Sequence, residues 1–343
     1  MLKKVAAAAV ACTVATGVLA PDRAEAADAT LRFAHFWPAV AGAHKDLFQV
    51  WADTVAKESG NRIAVEVYPA QTLAKAPAQY DAVKSRIADV TATVQGYTAN
   101  RFPLTQVVEL PGLAKTAKQG SCMIQTLYDE GLIAGEYGET RPLFLFTHGP
   151  GHIHTTGKPV TKPEDLAGLR IRRPTAVVAN LLEAVKAQPV GMPAPESYQS
   201  MQRGVIDGVA LPWEGQLAFR LNELTKQHTE VGGLYTLSFV VTMNKDVYNG
   251  LPDDLKKVID ANSGMAWAEK AGVVFDAMDE KGRAAAVEAG HTIHQIEGGP
   301  DNPDWKPVLD QATETYLAEL EASGLPARKV HARAVELSKT CAQ

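Results

Sequence analysis

Short apolar runs alternate with stretches of helical spacing along most of this chain, and a single glycine–proline–glycine step cuts the alternation in two. Residues 31–37 (Leu-Arg-Phe-Ala-His-Phe-Trp) read as a strand running into a loop. Residues 44–57 carry helical spacing through Leu47, Val50, Trp51 and Val55, and Ser59-Gly60-Asn61 stops them. A strand over 63–68, a helix over 78–87, a strand over 89–94 and another over 141–146 follow. His148-Gly149-Pro150-Gly151-His152 then interrupts, because Gly-Pro-Gly cannot continue a helix and marks a turn or crossover. Beyond it the alternation resumes. Strands are expected over 153–156, 169–172, within 205–211 and over 237–243, with helices over 175–187 and 196–203. Such alternation predicts α/β layers with a largely parallel sheet. The longest helical stretch is 252–290. Pro252 stands at its first position, Asp253 and Asp254 lie in its first turn, and Gly264 and Gly272 bend it. Two further helices are expected over 305–339, separated near Ser323-Gly324-Leu325-Pro326.

The N-terminus sets the compartment. Met1-Leu2-Lys3-Lys4 is positively charged, 5–20 is an uncharged run of mostly Ala and Val, and Ala24-Glu25-Ala26 is an A-x-A cleavage site. That order is a secretory signal peptide, and the 16-residue apolar run is shorter than the roughly 20 residues a spanning helix needs. Ala9-Val10-Ala11-Cys12 resembles a lipobox only faintly. Cleavage after Ala26 removes Lys3, Lys4 and Arg23 against Asp22 and Glu25, so the net charge moves from −5 to −6. Cys122 and Cys341 then remain in an oxidising space, where two thiols can pair; the sequence leaves that pairing open. With 343 residues there is ample chain for two domains, and no Lys/Arg-rich run offers a nucleic-acid face.

No nucleophile elbow, Walker loop, H-E-x-x-H, C-x-x-C or dinucleotide fingerprint appears. The rival signal is His148, His152 and His154. Their spacing can supply metal ligands, but Gly149-Pro150-Gly151 forbids helical placement of the first two, and no Cys or carboxylate is near in sequence. They read as crossover or ligand-lining residues. Two α/β lobes, a crossover and export together point to a solute-binding protein, with ligand at strand C-terminal ends between the lobes.

From residue 30 to about 325 the chain resembles the periplasmic solute-binding proteins of TRAP (tripartite ATP-independent periplasmic) transporters, the DctP-like family. Phe33-Ala34-His35, the segment Val65–Leu73 with its Pro69 and Gln71-Thr72-Leu73, and Ala88-Asp89-Val90 carry part of the likeness. Asp165-Leu166-Ala167-Gly168-Leu169-Arg170-Ile171-Arg172 matches the family's D-L-x-G-x-K/R-I/L-R segment. Tyr198-Gln199-Ser200-Met201-Gln202-Arg203-Gly204-Val205-Ile206-Asp207-Gly208 matches its Y-x-A-L-Q-x-G-x-x-D-G.

The resemblance implies a two-lobed α/β periplasmic-binding-protein fold, type II-like, with a cleft between lobes and a long bridging helix. The expected division is a signal peptide over 1–26, lobe I over 27–150 plus about 238–277, lobe II over 151–237 plus about 278–325, and a C-terminal helix over about 326–343. It also selects Arg172 as the ligand's carboxylate partner. Strand alternation alone puts Arg170 and Arg172 on one face and does not choose between them. A guanidinium is always charged, and its planar fork matches the two oxygens of a carboxylate. Further expected ligand contacts are Trp213, walling the pocket, and Glu214, accepting from a ligand hydroxyl or positioning Arg172. His35, Phe36 and Trp37 end the first strand, Gln95 and Tyr97 end the 89–94 strand, and His152 follows the crossover. There are departures. No second cleft Arg stands at Gly151-His152-Ile153-His154, and Ala210-Leu211 occupy the place of a metal-site Glu-Trp. A small monocarboxylate fits this set best, with an aromatic acid suited to its rings. The expectation is a monomeric, non-enzymatic binding protein without cofactor or metal that hands its ligand to a membrane permease. A ligand sensor and an exported metal-dependent enzyme are the alternatives.

Overall fold

The structure is a computed structural model that describes residues 27–342, so the signal-peptide segment 1–26 lies outside the described residues. Among the described residues eleven strands form two sheets. In chain order they are β1 Ala29–His35, β2 Ile63–Tyr68, β3 Val90–Val94, β4 Arg141–Thr147, β5 His152–Thr155, β6 Arg170–Arg173, β7 Gln188–Gly191, β8 Gly208–Leu211, β9 Gln227–Glu230, β10 Ser238–Met243 and β11 Thr292–Gln295. The first sheet runs β2-β1-β3-β10-β4 and the second β11-β9-β5-β8-β6-β7. Each anchors one lobe.

Both sheets are mixed rather than largely parallel. β10 is antiparallel to β3 and β4, and β5 is antiparallel to β8 and β9, whereas the other pairings are parallel. These two strands are the ones that follow the crossings between lobes.

A repeated device sets the register of each lobe. Arg32 at β1 forks onto Asp89 just before β3, with Nε and Nη2 at 3.0 and 3.1 Å. Arg170 at β6 forks onto Asp207 just before β8 in the same way, at 3.0 and 2.6 Å. In each case the Asp also accepts from the arginine's own backbone N–H. The Asp of the D-G motif thereby has a structural duty.

The long helical stretch is not continuous. Asp253–Ala261 ends, Gly264 adopts φ 72°, and a second helix runs Met265–Glu288. The break lets Trp51 and Trp267 bond to Asn262 in the turn, on its carbonyl and side-chain oxygens respectively. The Met265–Glu288 helix then crosses both lobes. At Gly272 a Cβ would collide with the backbone of Lys118, and at Gly282 with the carbonyl of Trp213. Two of its carboxylates cap helix starts on either side. Asp276 accepts from the N–H groups of Ala117 and Lys118 at 2.6 and 3.0 Å, and Asp279 from that of Glu214 at 2.7 Å. Helix N-termini favour such anions.

The C-terminal helices divide between the lobes. Lys306–Ala322 packs on Ala176–Ala184, and Ala327–Thr340 packs on Ala117–Asp129. Cys341 is disulfide-bonded to Cys122, which fastens the chain's end to the first lobe. Among the described residues no helix is long and apolar enough to cross a membrane.

Candidate functional site

Arg172 lies in β6 with its side chain wholly buried. Its Nε–H donates to the Met192 carbonyl at 3.0 Å, Nη1 to the Ala210 carbonyl at 2.9 Å, and Nη2 to the Tyr97 hydroxyl at 3.0 Å. A guanidinium has five N–H groups. Three are spent, which leaves one on each terminal nitrogen. Among the described residues no carboxylate pairs with it. A buried charge without a counter-charge is costly, so this geometry is that of a built anion site. Arg170, two residues earlier, is already committed to Asp207.

Arg172 lines a cavity at the meeting of the lobes, with Phe36, Trp37, Val94 and Tyr97 from the first lobe, and Ala194, Leu211, Pro212, Glu214 and Phe219 from the second. His148 and Leu237 come from the two crossings between them, and Phe239 from β10 of the first lobe. Its open volume is about 20 Å³, room for roughly one or two waters; a ring enters only if the lobes part. The walls are aromatic. Phe36 and Phe219 face one another almost parallel, 13° apart in plane with centroids 6.3 Å apart. Trp37 and Phe239 stand at 5.5 Å, and Phe36 and Tyr97 at 5.7 Å.

Glu214 is buried in this wall. Burial, with Asp279 nearby, pushes its carboxyl up to about 8, and the facing Trp37 indole offsets part of the rise. Asp279 is raised as well, chiefly by burial. His148 is buried too, and desolvation together with the Arg172 charge holds it neutral.

Of the nine residues expected to touch ligand, the cavity gathers Arg172, Phe36, Trp37, Tyr97 and Glu214. Glu214 does not hold Arg172 in place; Tyr97 and two backbone carbonyls do. The other four face elsewhere. Trp213 donates its indole N–H to Glu230 at 2.8 Å and packs on His152, His154 and His228. His35 pairs with His44 at 3.0 Å inside the first lobe. The Gln95 amide donates to Tyr137, also inside that lobe. At the end of β1 adjacent residues point to opposite sides, so His35 turns inward as Phe36 faces the cleft; after β3 the single 3-10 turn Gln95–Tyr97 separates Gln95, inside the lobe, from Tyr97 at the cleft.

His152 and Trp213 instead line a separate cavity of about 920 Å³, together with Glu230, Asp276, Asp279 and Arg283. It is the larger of the two, but its arginine is already paired, since Arg283 Nε donates to Glu230 at 2.7 Å. His154 joins His228 at 2.7 Å and the Leu211 carbonyl at 2.9 Å, while His228 joins His291 at 3.0 Å and Lys226 reaches His291. The carbonyl accepts only, so every neutral ring donates inward along one directed chain. Among the described residues no three His, Cys, Asp or Glu side chains are grouped to hold a metal ion.

Sequence reasoning missed Phe219 and Phe239 as site residues. Phe239 sits at the start of β10, and its place in the cavity follows from the antiparallel return. Phe219 ends the Trp213–Ala218 helix, and no local pattern marks it.

Residues 33–319 match the family described as bacterial extracellular solute-binding protein, family 7. A TRAP solute-binding protein from a marine metagenome, described as specific for aromatic acid ligands and solved with metahydroxyphenylacetate, superposes with a TM-score of 0.88 at 36% identity, over 92% of this chain and 100% of its own. One from Rhodoferax ferrireducens T118, solved with copurified benzoate, gives 0.87 at 37%, over 91% and 98%. One from Bordetella bronchiseptica, with bound (R)- and (S)-mandelate, gives 0.83 at 28%, over 91% and 99%.

Proposed function

We propose, from the premise that this chain belongs to bacterial extracellular solute-binding protein family 7, the binding proteins of TRAP transporters, that it captures an aromatic monocarboxylate between its lobes. One observation carries the reading: the wholly buried Arg172 guanidinium has an N–H unspent on each terminal nitrogen and no carboxylate partner among the described residues, in a ring-lined cavity. A carboxylate takes both in the bidentate geometry guanidinium favours. Phe36 and Phe219 then take the ring between the lobes, where offset or edge contacts stabilise it. The relatives solved with benzoate and hydroxyphenylacetate, both at more than a third identity, support the same ligand class. Binding is coupled to lobe closure by hinge motion. The leader of residues 1–26 exports the chain to the periplasm, where it delivers ligand to a membrane permease.

A thermal-shift screen of benzoate and related acids on the chain from Ala27 tests this. Ligand at 100 times its Kd stabilises by about 2.7 kcal/mol. Arg172→Ala should lose that response while keeping its circular dichroism. An Arg172→Ala protein that responds like the parent sinks the anchor assignment. Tight binding of a neutral sugar or of a metal alone overturns the organic-acid reading.

A further inference from the structure

His148 is the imidazole in the cavity wall, and its geometry fixes which way it can bond. Its Nδ1 lies against the Gly149 carbonyl. A carbonyl only accepts, so Nδ1 carries the proton and, in the neutral ring, Nε2 presents a bare lone pair. That Nε2 is buried and has no hydrogen-bond partner among the described residues. The ring is held in place: Thr236 donates to the His148 carbonyl at 2.6 Å, and the rings of Tyr235 and Phe239 pack on it at 5.9 and 5.8 Å. The residue is 1% exposed and shares the cavity with Arg172.

We propose that His148 is a specificity residue that accepts a hydrogen bond from a hydroxyl on the bound acid, so the preferred ligands are hydroxylated aromatic acids rather than the unsubstituted parents. The proposal rests on the aromatic-acid reading of the cavity. A buried acceptor left unpaired is costly, and a ligand donor removes that cost. A hydroxyl suits the position better than an ammonium, which would bring a second positive charge beside Arg172. Sites built to bond a substrate hydroxyl discriminate strongly against the analogue that lacks it. Burial and the Arg172 charge, which push the His148 ring down to about 3, keep Nε2 an acceptor across the working range.

The test is isothermal titration of the chain from Ala27 with paired acids: benzoate against 3- and 4-hydroxybenzoate, and phenylacetate against mandelate. At least one hydroxy acid should bind about tenfold or more tightly than its unsubstituted partner. The first pair reports a ring hydroxyl and the second an α-hydroxyl; a preference in either supports the assignment. In His148→Phe the ratio of hydroxy-acid to parent-acid affinity should collapse toward unity. If that variant does not fold, the parent's own ratio decides. Equal affinities within every pair overturn the proposal. So does a His148→Phe variant that loses benzoate and hydroxy acids equally, since that is the behaviour of a cation on the carboxylate. Failure of the parent to bind any aromatic acid is a different result: it removes the ligand class itself, and this proposal with it.

Discussion

The Tyr97 hydroxyl accepts from Arg172 Nη2 at 3.0 Å and from the Ala194 N–H at 2.9 Å. Tyr97 follows β3 of the first lobe, while Arg172 and Ala194 belong to the second, so one oxygen latches the lobes while it orients the guanidinium. Tyr97→Phe keeps the ring and deletes the oxygen. Two buried donors lose their partner, at about 1–3 kcal/mol for such a loss. Ligand affinity should drop roughly tenfold. The ligand-free variant should also show a larger radius of gyration by small-angle X-ray scattering. Unchanged affinity and unchanged dimensions would rule the latch out.

Buried acids and buried histidines should give stability a maximum near neutral pH. Burial raises Glu109 to about 7 against the opposing bonds of Ser238 and Thr175, and raises Glu214 to about 8 with Asp279 beside it. These groups hold protons in the folded chain that the unfolded chain releases near pH 4.3. Their stabilisation is complete below that value and is lost as pH rises through 7 and 8. The histidines have the opposite sign. Burial lowers His35, His148, His152 and His154 to about 3 and His228 to about 2. Their contribution is present above about 6.5 and is lost as pH falls toward 3. The melting temperature should therefore peak at about pH 6.5 to 7 and fall on both sides. Glu214→Gln should flatten the alkaline limb and steepen the acid one. A melting temperature that stays level from pH 7 to 9 contradicts the assignment of protonated buried acids.

What the sequence displayed, and what it hid, follows from the range over which each signal acts. Alternation and the Gly149-Pro150-Gly151 break are local, and they located the two lobes. Arg172 was separable from Arg170 only through the family resemblance; in three dimensions Asp207, 37 residues from Arg170, takes one of them out of contention. Strand ends offered pairs such as His35 with Phe36 and Gln95 with Tyr97. Only one member of each pair faces the cleft: strand period gives the alternation at His35-Phe36 without its phase, and the 3-10 turn at Gln95–Tyr97 lies outside that period altogether. Trp213 and Glu214 are a similar pair on a short helix, divided between two cavities. β7, β9 and β11 escaped because Gln188-Pro189-Val190-Gly191 is short and broken by Pro and Gly, while Gln227-His228-Thr229-Glu230 and Thr292-Ile293-His294-Gln295 are short and mostly polar.

The bridging helix should tolerate no added bulk where it meets the second lobe. At Gly282 a Cβ would run into the Trp213 carbonyl, and backbone cannot rotate away as a side chain can. Gly282→Ala should cost about 1–3 kcal/mol through overpacking. It should also weaken ligand binding, because Trp213–Ala218 carries Glu214. Gly157→Ala has open space around its Cβ and serves as control. Equal urea midpoints for the two variants would show that the helix can shift freely.

The disulfide should govern stability without touching recognition. Cys122 lies in the Ala117–Asp129 helix and Cys341 caps Ala327–Thr340, 219 residues away along the chain. Closing so long a loop restricts the unfolded chain strongly, and native bridges are typically worth 2–5 kcal/mol, a range of about that size being expected here. The last helix has other holds. Val330, Ala334 and Leu337 are buried in the cluster that contains Met123, Ile124 and Leu127. Gln119 donates to the Ser338 carbonyl at 2.6 Å, and Arg333 pairs with Glu130 at 2.7 Å. Cys341→Ser should therefore stay folded with its C-terminal helix docked, melt at a lower temperature, and bind ligand with the parent's Kd. The parent should lose the same stability on reduction, and Cys341→Ser should not respond to reductant. Neither cysteine lines the Arg172 cavity, so a large fall in affinity in Cys341→Ser would mean that the C-terminal helix reaches the site through the Ala117–Asp129 helix.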